Sequence, residues 1–255
     1  MKKLILGLFC FATVFAFASF NSRNAYADAV ATVKEIQGEV FIQPAGSTPE
    51  TWSAVTQDTP VNNGDSVKTA NGSCLLSYAD QGEFRLGANT RLTVQQQTDT
   101  QDIHLLLGSL KAKINKDKVI KPFQVVTPTA VGAIRGTNVD FDFNDKGELT
   151  ADLHDGGPVQ VYNDEAGMEL NLEHGNKITV VYNKDKGELI VTNSCDSKTK
   201  INFTILGKEY SGDQCQSVTV NLGTAKGGND PTDTNDPDPQ DPPNEHQPPD
   251  SSQTT

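Results

Sequence analysis

The chain has 255 residues, a formal charge of −12, 13 prolines and 21 glycines. This acidic balance argues against nucleic acid or an anionic lipid surface as a partner, because both attract basic proteins. The length allows one large or two small folded domains.

The N-terminal segment has the pattern of an export signal. Lys2 and Lys3 precede an apolar run over residues 4–20, and Ala25-Tyr26-Ala27 supplies a small-x-small cleavage motif. We therefore predict a Sec-type signal peptide over residues 1–27, with no cytoplasmic segment before it and no stable membrane span after cleavage. The segment carries three basic residues and no acidic one, so the mature chain has a charge of −15. The predicted location is exported, periplasmic or extracellular.

Short apolar or alternating runs recur between Asp28 and Gly223, and no run predicts a helix. Alternation with a period of two indicates strands with one buried face. We predict an all-β fold, a compact sandwich, a barrel or a rolled, solenoid-like sheet of many short strands joined by hairpins. Only Leu105–Lys113 is ambiguous with a helical turn. The predicted strands are Ala31–Ile36, Glu39–Gln43, Ser66–Thr69, Cys74–Tyr78, Glu83–Leu86, Arg91–Gln95, His104–Ile114, Phe123–Thr127, Asn138–Phe143, Glu148–His154, Val159–Tyr162, Glu169–Leu172, Lys177–Tyr182, Glu188–Thr192, Lys200–Leu206 and Ser217–Asn221.

A turn motif of the form D-x-G-E-[LF] recurs at residues 80–84, 145–149 and 185–189. Aspartate can open such a turn by bonding its own backbone, and glycine supplies the positive φ that closes it. We predict that these three segments are hairpin tips. They lack the D-x-D-x-D-G ladder of a calcium loop.

The most informative stretch, residues 127–143, reads T-P-T-A-V-G-A-I-R-G-T-N-V-D-F-D-F. If its alternation runs unbroken through Thr137, Arg135 lies on the buried face and needs a carboxylate or carbonyl partner. We therefore predict a structural arginine that locks a β layer, rather than an anion-binding or catalytic one. A bulge at the flanking glycine could instead turn the side chain outward.

Three cysteines remain after signal removal. Cys195 and Cys215 bracket a strand-like segment, and an exported protein meets an oxidising compartment. We predict that they form a disulfide. Cys74 is expected to be a small buried hydrophobe, with a mixed or intermolecular disulfide as the alternative.

The C-terminal segment, residues 227–255, contains seven prolines, six aspartates and Glu245, but no Leu, Ile, Val, aromatic residue, Lys or Arg. Such a composition cannot bury enough apolar surface to offset the entropy of ordering, so we predict a disordered tail. A spacer is the default role, and a solubilising tail or a weak cation binder are the alternatives.

Catalytic signatures are absent from the sequence. None of His104, His154, His174 and His246 lies in H-E-x-x-H, and there is no C-x-x-C, G-x-S-x-G or Walker loop. We predict no metal, no cofactor and no enzymatic activity. A three-histidine zinc site and a carboxylate pair for glycoside hydrolysis stay open as weaker alternatives.

Six segments in the order of one family resemble the FecR domain, the periplasmic domain of iron-dicitrate sensor proteins. The motif residues that we expect to be structural are Gly64, Asp65, Thr69, Thr90, Leu92, Thr127, Pro128, Arg135, Gly136 and Thr137. The six segments are Gly38-Glu39-Val40 with Trp52, Gly64–Thr69 (G-D-x-[IV]-x-T), Phe84–Leu92, Leu107–Leu110, Thr127-Pro128 to Arg135-Gly136-Thr137 (T-P-x-A-x-x-x-x-R-G-T), and Asp155–Val161.

The resemblance implies an exported β domain used in sensing or protein contacts. We expect a signal peptide at 1–27, a FecR-like domain at 28–162, further strands or a small disulfide-linked module at 163–226, and the tail at 227–255. The predicted function is a non-catalytic protein-binding, sensing or structural module of the cell envelope, with a protein or envelope partner of unknown identity. The alternative is a carbohydrate- or peptidoglycan-binding module with Trp52, Tyr78 and Tyr162 as stacking residues. A carboxylate-dependent hydrolase is the third hypothesis.

Overall fold

The computed structural model describes residues 29–223, so the predicted signal peptide and the whole of the predicted tail lie outside the described residues. Every helix or strand in the described range is a β-strand. The strands are β1 (Ala31–Gln37), β2 (Val40–Gln43), β3 (Ser53–Ala54), β4 (Pro60–Val61), β5 (Ser66–Thr69), β6 (Ser73–Tyr78), β7 (Gly82–Leu86), β8 (Arg91–Gln96), β9 (Gln101–Ile114), β10 (Phe123–Val126), β11 (Val131–Ile134), β12 (Thr137–Phe143), β13 (Glu148–Gly156), β14 (Val159–Asn163), β15 (Met168–Leu172), β16 (Lys177–Asn183), β17 (Glu188–Asn193), β18 (Ile201–Ile205), β19 (Lys208–Gly212) and β20 (Gln216–Asn221).

The strands form two layers that share the long strand β9. Sheet A has the order β4-β1-β6-β7-β9-β12-β13-β16-β17-β20, with every pair antiparallel. Sheet B has the order β3-β2-β5-β8-β9-β10-β11-β14-β15-β18-β19, in which only β9 and β10 are parallel. The first half of β9 pairs with β8 in sheet B and the second half with β7 and β12 in sheet A.

Beyond β9, the chain extends the two sheets alternately, one hairpin at a time. Hairpin β10–β11 adds to sheet B, β12–β13 to sheet A, β14–β15 to sheet B and β16–β17 to sheet A. Hairpin β18–β19 then extends sheet B, and β20 ends sheet A. The prediction of an all-β fold of short strands joined by hairpins is confirmed, in the form of two layers joined along β9.

The core lies between the two sheets. Tyr78 and Phe84 of sheet A contact Phe123 of sheet B, with ring centroids 5.1 and 5.0 Å from that of Phe123. Further along the layers, Gly132 of sheet B lies directly under the ring of Phe141 of sheet A, where a Cβ would come within 2.5 Å of a ring carbon. These contacts bury aromatic surface from both layers, which stabilises a side chain by about 1.5–3 kcal/mol when it is fully buried.

The three repeated turns are hairpin tips, as predicted, joining β6 to β7, β12 to β13 and β16 to β17. In the second turn, the Asn144 side chain accepts hydrogen bonds from the backbone N–H groups of Lys146 and Glu148 at 3.0 and 3.1 Å. Asn183 accepts one from the Lys186 backbone at 3.0 Å in the third. In these two turns, the asparagine before the motif therefore has the role that the sequence argument gave to the aspartate.

The structure differs from the predicted strands at short or closely spaced elements. Four strands were not predicted: β3, β4, β11 and β19. The two-residue strands β3 and β4 carry no periodicity. The segment Leu105–Lys113 belongs to a strand and not to a helical turn. Among the described residues, no helix is long and apolar enough to cross a membrane.

The C-terminal strands continue both sheets. In sheet A, β16 pairs with β13, and in sheet B, β15 pairs with β14. Cys195 and Cys215 form a disulfide with their Cα atoms 4.3 Å apart, which connects the end of β17 to the start of β20 around hairpin β18–β19.

Cys74 is a free, buried thiol on β6. Burial raises its pKa from 9.0 to about 12, with a smaller lowering effect from the positive charge of Arg85.

Candidate functional site: a surface around Trp52

The first motif residues hold loops against the sheets. Asp65 is buried, and its carboxylate accepts hydrogen bonds from the Ala45 N–H at 2.9 Å and the Asn62 N–H at 2.8 Å. A carboxylate that accepts backbone N–H groups makes a strong, charge-assisted bond. Gly64, with φ of 87°, provides the turn before it. This element therefore fixes the chain between β4 and β5.

Two threonines of the motif join β5, β8 and β9. Thr69 Oγ1 accepts from the Thr90 N–H at 2.9 Å and donates to the Gly87 carbonyl at 2.6 Å. Thr90 Oγ1 in turn accepts from the Ser109 N–H at 3.1 Å. Both side chains are buried, as is Leu92. They satisfy backbone groups at the point where β9 passes between the sheets.

The segment Thr127-Pro128 forms a tight turn between β10 and β11. Thr127 Oγ1 donates to the Ala130 carbonyl at 2.7 Å and accepts from the Ala130 N–H at 3.1 Å. The Asn163 side chain donates to the neighbouring Thr129 carbonyl at 2.5 Å. The turn is therefore bonded both within itself and to the end of β14.

The prediction that Arg135 lies on the buried face and locks a β layer is wrong, and the alternative, in which the flanking glycine turns the side chain outward, is the one observed. The Arg135 side chain is exposed, in the bend between β11 and β12, and it forms no ion pair within residues 29–223. Gly136 has φ of 87° and lies against the backbone of Lys116, where a Cβ would come within 2.8 Å of the Lys116 Cα. The alternation therefore breaks at the glycine, which turns Arg135 outward, and it resumes at the buried Thr137.

The strongest cluster of polar, titratable residues lies on the outer face of sheet A. Asp140 and Asp152 are opposite each other on β12 and β13. His154 Nε2 lies 3.2 Å from Asp140, and His154 Nδ1 lies 3.7 Å from Asp152. Lys111 also pairs with Asp140, and Lys177 Nζ lies 3.5 Å from Asp152. Both carboxylates are thus balanced by a lysine, an arrangement that does not single out either one as a proton donor.

The other histidines do not assemble into a site. His104 is half-buried on β9, and its Nε2 has no hydrogen-bond partner. His174 lies 3.4 Å from the Lys198 ammonium, and His246 lies outside the described residues. Within residues 29–223 no three His, Cys, Asp or Glu side chains are grouped to hold a metal ion.

The three aromatic residues predicted to stack on a sugar have different environments. Tyr78 is 2% exposed in the core, so its assignment as a stacking residue is wrong. Tyr162 is half-buried on the outer face of sheet B. Burial, followed by the negative charges of Asp164 and Asp102, raises the pKa of its phenol. Trp52 is half-buried, but its ring is already covered by a cation.

Trp52 forms the centre of a surface on the outer face of sheet B. It immediately precedes β3, and the pairing of Ala54 with Phe41 on β2 holds it over the sheet. The Lys68 ammonium lies 4.2 Å from the centroid of the Trp52 ring and 5.2 Å from that of Phe41. The Arg91 guanidinium lies 5.6 Å from the Trp52 ring centroid. Each cation–π contact is worth about 0.5–2 kcal/mol, depending on solvent exposure.

Two exposed leucines extend this surface. Phe41, Lys68, Arg91 and Leu107 are successive partners across β2, β5, β8 and β9, so they form one row on one face. A register shift next to Arg91 leaves both Leu106 and Leu107 on the surface, 43% and 39% exposed. We call Phe41, Trp52, Lys68, Arg91, Leu106 and Leu107 the Trp52 patch. Sequence reasoning identified only Trp52 among these residues.

The Trp52 patch has the composition of a protein-contact surface. Aromatic residues and arginine are enriched at the centres of protein interfaces, and leucines add apolar area that water solvates poorly. Neither Lys68 nor Arg91 forms an ion pair with a carboxylate of the described chain. Both charges are thus available to an acidic partner.

Residues 65–157 match the family model described as FecR protein. This stretch is a FecR domain. The resemblance found in the motif residues is therefore confirmed over this range. The FecR domain runs from β5 to the end of β13 and contains Lys68, Arg91 and both leucines of the Trp52 patch, whereas Phe41 and Trp52 precede it.

No curated protein matches the sequence significantly. Among solved structures, two crystal structures of a candidate anti-sigma factor from Parabacteroides distasonis ATCC 8503 are similar, with TM-scores of 0.41 and 0.39 and sequence identities of 14% and 15%. Each match covers 58% of this chain, and 59% and 58% of the solved chains respectively. This chain thus spans less than two thirds of the length of those proteins.

Proposed function

We propose that this protein is an exported, non-catalytic module of the cell envelope that binds another protein through the Trp52 patch. The observation that carries the proposal is the patch itself, in which a tryptophan, a phenylalanine and two leucines surround two cations without carboxylate partners. Its FecR domain supports a sensing or regulatory role that depends on protein contacts. The export signal pattern and the Cys195–Cys215 disulfide support a location outside the cytoplasm.

The chemistry of the patch defines the partner. The mature chain has a formal charge of −15, yet this surface exposes Lys68 and Arg91 and no carboxylate within the patch. We expect the partner to present Asp or Glu side chains around an apolar contact, because opposite charges at the rim steer association and select the partner. Trp52 and Arg91 are the expected centres of binding energy.

The test is a quantitative pull-down from the envelope fraction of the source organism with the mature protein. Trp52→Ala should raise the dissociation constant for the partner by about 30-fold, the effect of a residue that contributes about 2 kcal/mol to binding, as measured from the dependence of recovery on bait concentration. Lys68→Ala should weaken recovery less and remove part of the salt dependence.

Two matched controls separate loss of the patch from a general loss of charge or apolar surface. Lys208→Ala removes another lysine that lies over an aromatic ring, 5.2 Å from the centroid of Tyr210. Leu206→Ala removes a leucine that is 74% exposed, as a control for Leu107→Ala. Equal recovery of the same partner by the patch variants and the controls would refute the proposal.

A further inference from the structure

A second surface lies at the opposite end of sheet B. The outer face of β14, β15, β18 and β19 forms an open groove of about 700 Å³. Three amides, two carboxylates and one hydroxyl line much of it, from Gln160, Asn171, Asn202, Glu169, Glu209 and Thr204. We propose that this groove binds a neutral oligosaccharide. We call it the amide groove.

The register arranges these side chains in two rows that cross the strands. Glu169 of β15 is opposite Thr204 of β18, which is opposite Glu209 of β19. In the neighbouring row, Gln160 of β14 is opposite Asn171 of β15. Strands are about 4.8 Å apart, so polar groups recur at that interval along the groove. An extended chain of similar units can therefore contact successive strands through equivalent groups.

None of the six side chains hydrogen-bonds to another residue of the described chain, in contrast to the outer face of sheet A. On that face, Thr150 bonds to Thr179 at 3.1 Å and Thr192 to Ser217 at 2.8 Å. The charged groups there form ion pairs, such as Lys177 with Asp152. The amide groove thus presents donors and acceptors that a ligand can use without breaking bonds within the protein.

The chemistry of these groups fits sugar hydroxyls. A side-chain amide offers two donors and an acceptor, a carboxylate accepts through two oxygens, and a hydroxyl does both. Each sugar hydroxyl also donates and accepts, so this combination can satisfy several at once. The groove is lined by no lysine or arginine, and Glu169 and Glu209 disfavour a phosphorylated or sulfated ligand. An uncharged polyhydroxyl chain is therefore the favoured occupant.

One aromatic residue borders the groove on its own face. Tyr210 is opposite Phe203, so its ring stacks on Phe203 on the core side of the sheet, at a centroid distance of 5.6 Å, and does not face the groove. Tyr162 is the partner of Glu169 on β14 and lies on the same outer face. Tyrosine combines an apolar ring with a polar hydroxyl, which suits the partly apolar faces of a sugar.

The amide groove is separate from the Trp52 patch. Strands β10 and β11 lie between the patch, which ends at β9, and the groove, which begins at β14. Substitutions in one surface should therefore leave the other intact, since sites that share no partners behave independently. Loss of glycan binding and loss of the protein partner can thus be observed separately.

The experiment is a calorimetric and NMR titration of the mature protein with two uncharged oligosaccharides, cellotetraose and chitotetraose. At least one of them should bind, and Asn171→Ala and Gln160→Ala should each weaken binding by about tenfold or more. Gln95→Ala is the matched control, because Gln95 is an exposed amide on the same sheet, on β8, outside the groove. It should bind as the unmodified protein does, and so should Trp52→Ala.

Three results would overturn the proposal. The first is no binding by either of these glycans at millimolar concentration. The second is binding that Asn171→Ala and Gln160→Ala leave unchanged. The third is binding of tetralysine at the groove in place of any glycan, which would show that the carboxylates select a cationic peptide. None of these three results would affect the proposal for the Trp52 patch, which is tested separately by recovery of the protein partner.

Discussion

Replacing Gly132 with alanine tests whether the two sheets are packed as closely as the structure shows. Gly132 is buried on β11, and an added Cβ would lie 2.5 and 2.7 Å from two ring carbons of Phe141. Phe141 is 1% exposed and lies between Leu110 and Ala151 on the neighbouring strands of sheet A, so the ring has little room to move. The methyl group must therefore push the layers apart or force the ring out of its rotamer.

The expected cost follows from two opposing effects. Overpacking a well-packed core costs about 1–3 kcal/mol, while alanine in place of glycine gains about 0.4–1 kcal/mol by restricting the unfolded chain, which leaves a net loss of about 0–2.6 kcal/mol, centred near about 1.3 kcal/mol. For a folded region of this size, each kcal/mol lowers the melting temperature by about 2–4 °C. At the central value we expect Gly132→Ala to melt about 3–5 °C lower than the unmodified protein.

The assay is thermal and urea unfolding followed by circular dichroism, with Gly212→Ala as the control. Gly212 is also a buried glycine at the end of a sheet B strand, but an added Cβ would meet its neighbours at 3.5 Å, an ordinary contact. Gly212→Ala should leave the free energy of unfolding unchanged or raise it slightly. Phe141→Leu should lower the free energy of unfolding by less in the Gly132→Ala variant than in the unmodified protein, because the smaller side chain relieves the clash with the added methyl group. Equal melting of both alanine variants, or strictly additive effects of the pair, would refute the close packing.

Three further predictions concern the turn, the disulfide and the buried thiol. Arg135→Ala should change the free energy of unfolding by less than about 0.5 kcal/mol, as expected for an exposed residue, whereas Gly136→Ala should be clearly destabilising in the same urea titration. Replacing Cys195 and Cys215 with serine should cost about 3 kcal/mol by loop entropy, and an unchanged urea midpoint would contradict this. Cys74 should react with iodoacetamide at pH 8 only as fast as the mature protein unfolds. The pKa of the Cys74 thiol is about 12 in the folded protein, against 9.0 for the free thiol. Its contribution to the free energy of unfolding is therefore complete below pH 9 and is lost as the pH rises towards 12. Cys74→Ala should flatten this alkaline decline in stability.

The existence of the strands was predictable because their side-chain period is local. Phe141 and its neighbours alternate over β12 with one face buried, and the glycines of the repeated motif indicate the hairpin tips. The pairing of strands from different hairpins was not predictable in the same way. The contact of β13 with β16, and the membership of β9 in both sheets, depend on long-range register that no single segment encodes.

Arg135 shows where local reasoning fails. Its burial was inferred by continuing the alternation of β12 backwards through Gly136. That glycine adopts φ of 87°, and the chain there passes from β11 in sheet B to β12 in sheet A. The pattern is intact on either side, but its phase changes at the glycine. A glycine inside an alternating run is therefore the signal that should limit such an extrapolation.

The Trp52 patch was largely hidden in the sequence for a related reason. Phe41, Lys68, Arg91 and Leu107 come from four strands, and only the pairing of those strands places them in one row. A signal exists in retrospect, since Phe41 occupies a position of β2 that alternates with a buried valine and so faces outward. That Phe41 shares this face with Trp52 could be seen only in the folded structure.

The hairpin-by-hairpin arrangement has a mechanical consequence. The described chain enters sheet A at β1, one strand from an edge, and leaves it at β20, the opposite edge. A pull on the two ends, about 40 Å apart at a strand spacing of about 4.8 Å, would act along the interstrand hydrogen bonds. Strand pairs that are loaded in this direction separate one after another, whereas strand pairs loaded in shear lose their hydrogen bonds together. The Cys195–Cys215 bond would then hold back hairpin β18–β19, keeping about 65 Å of extended chain from being released.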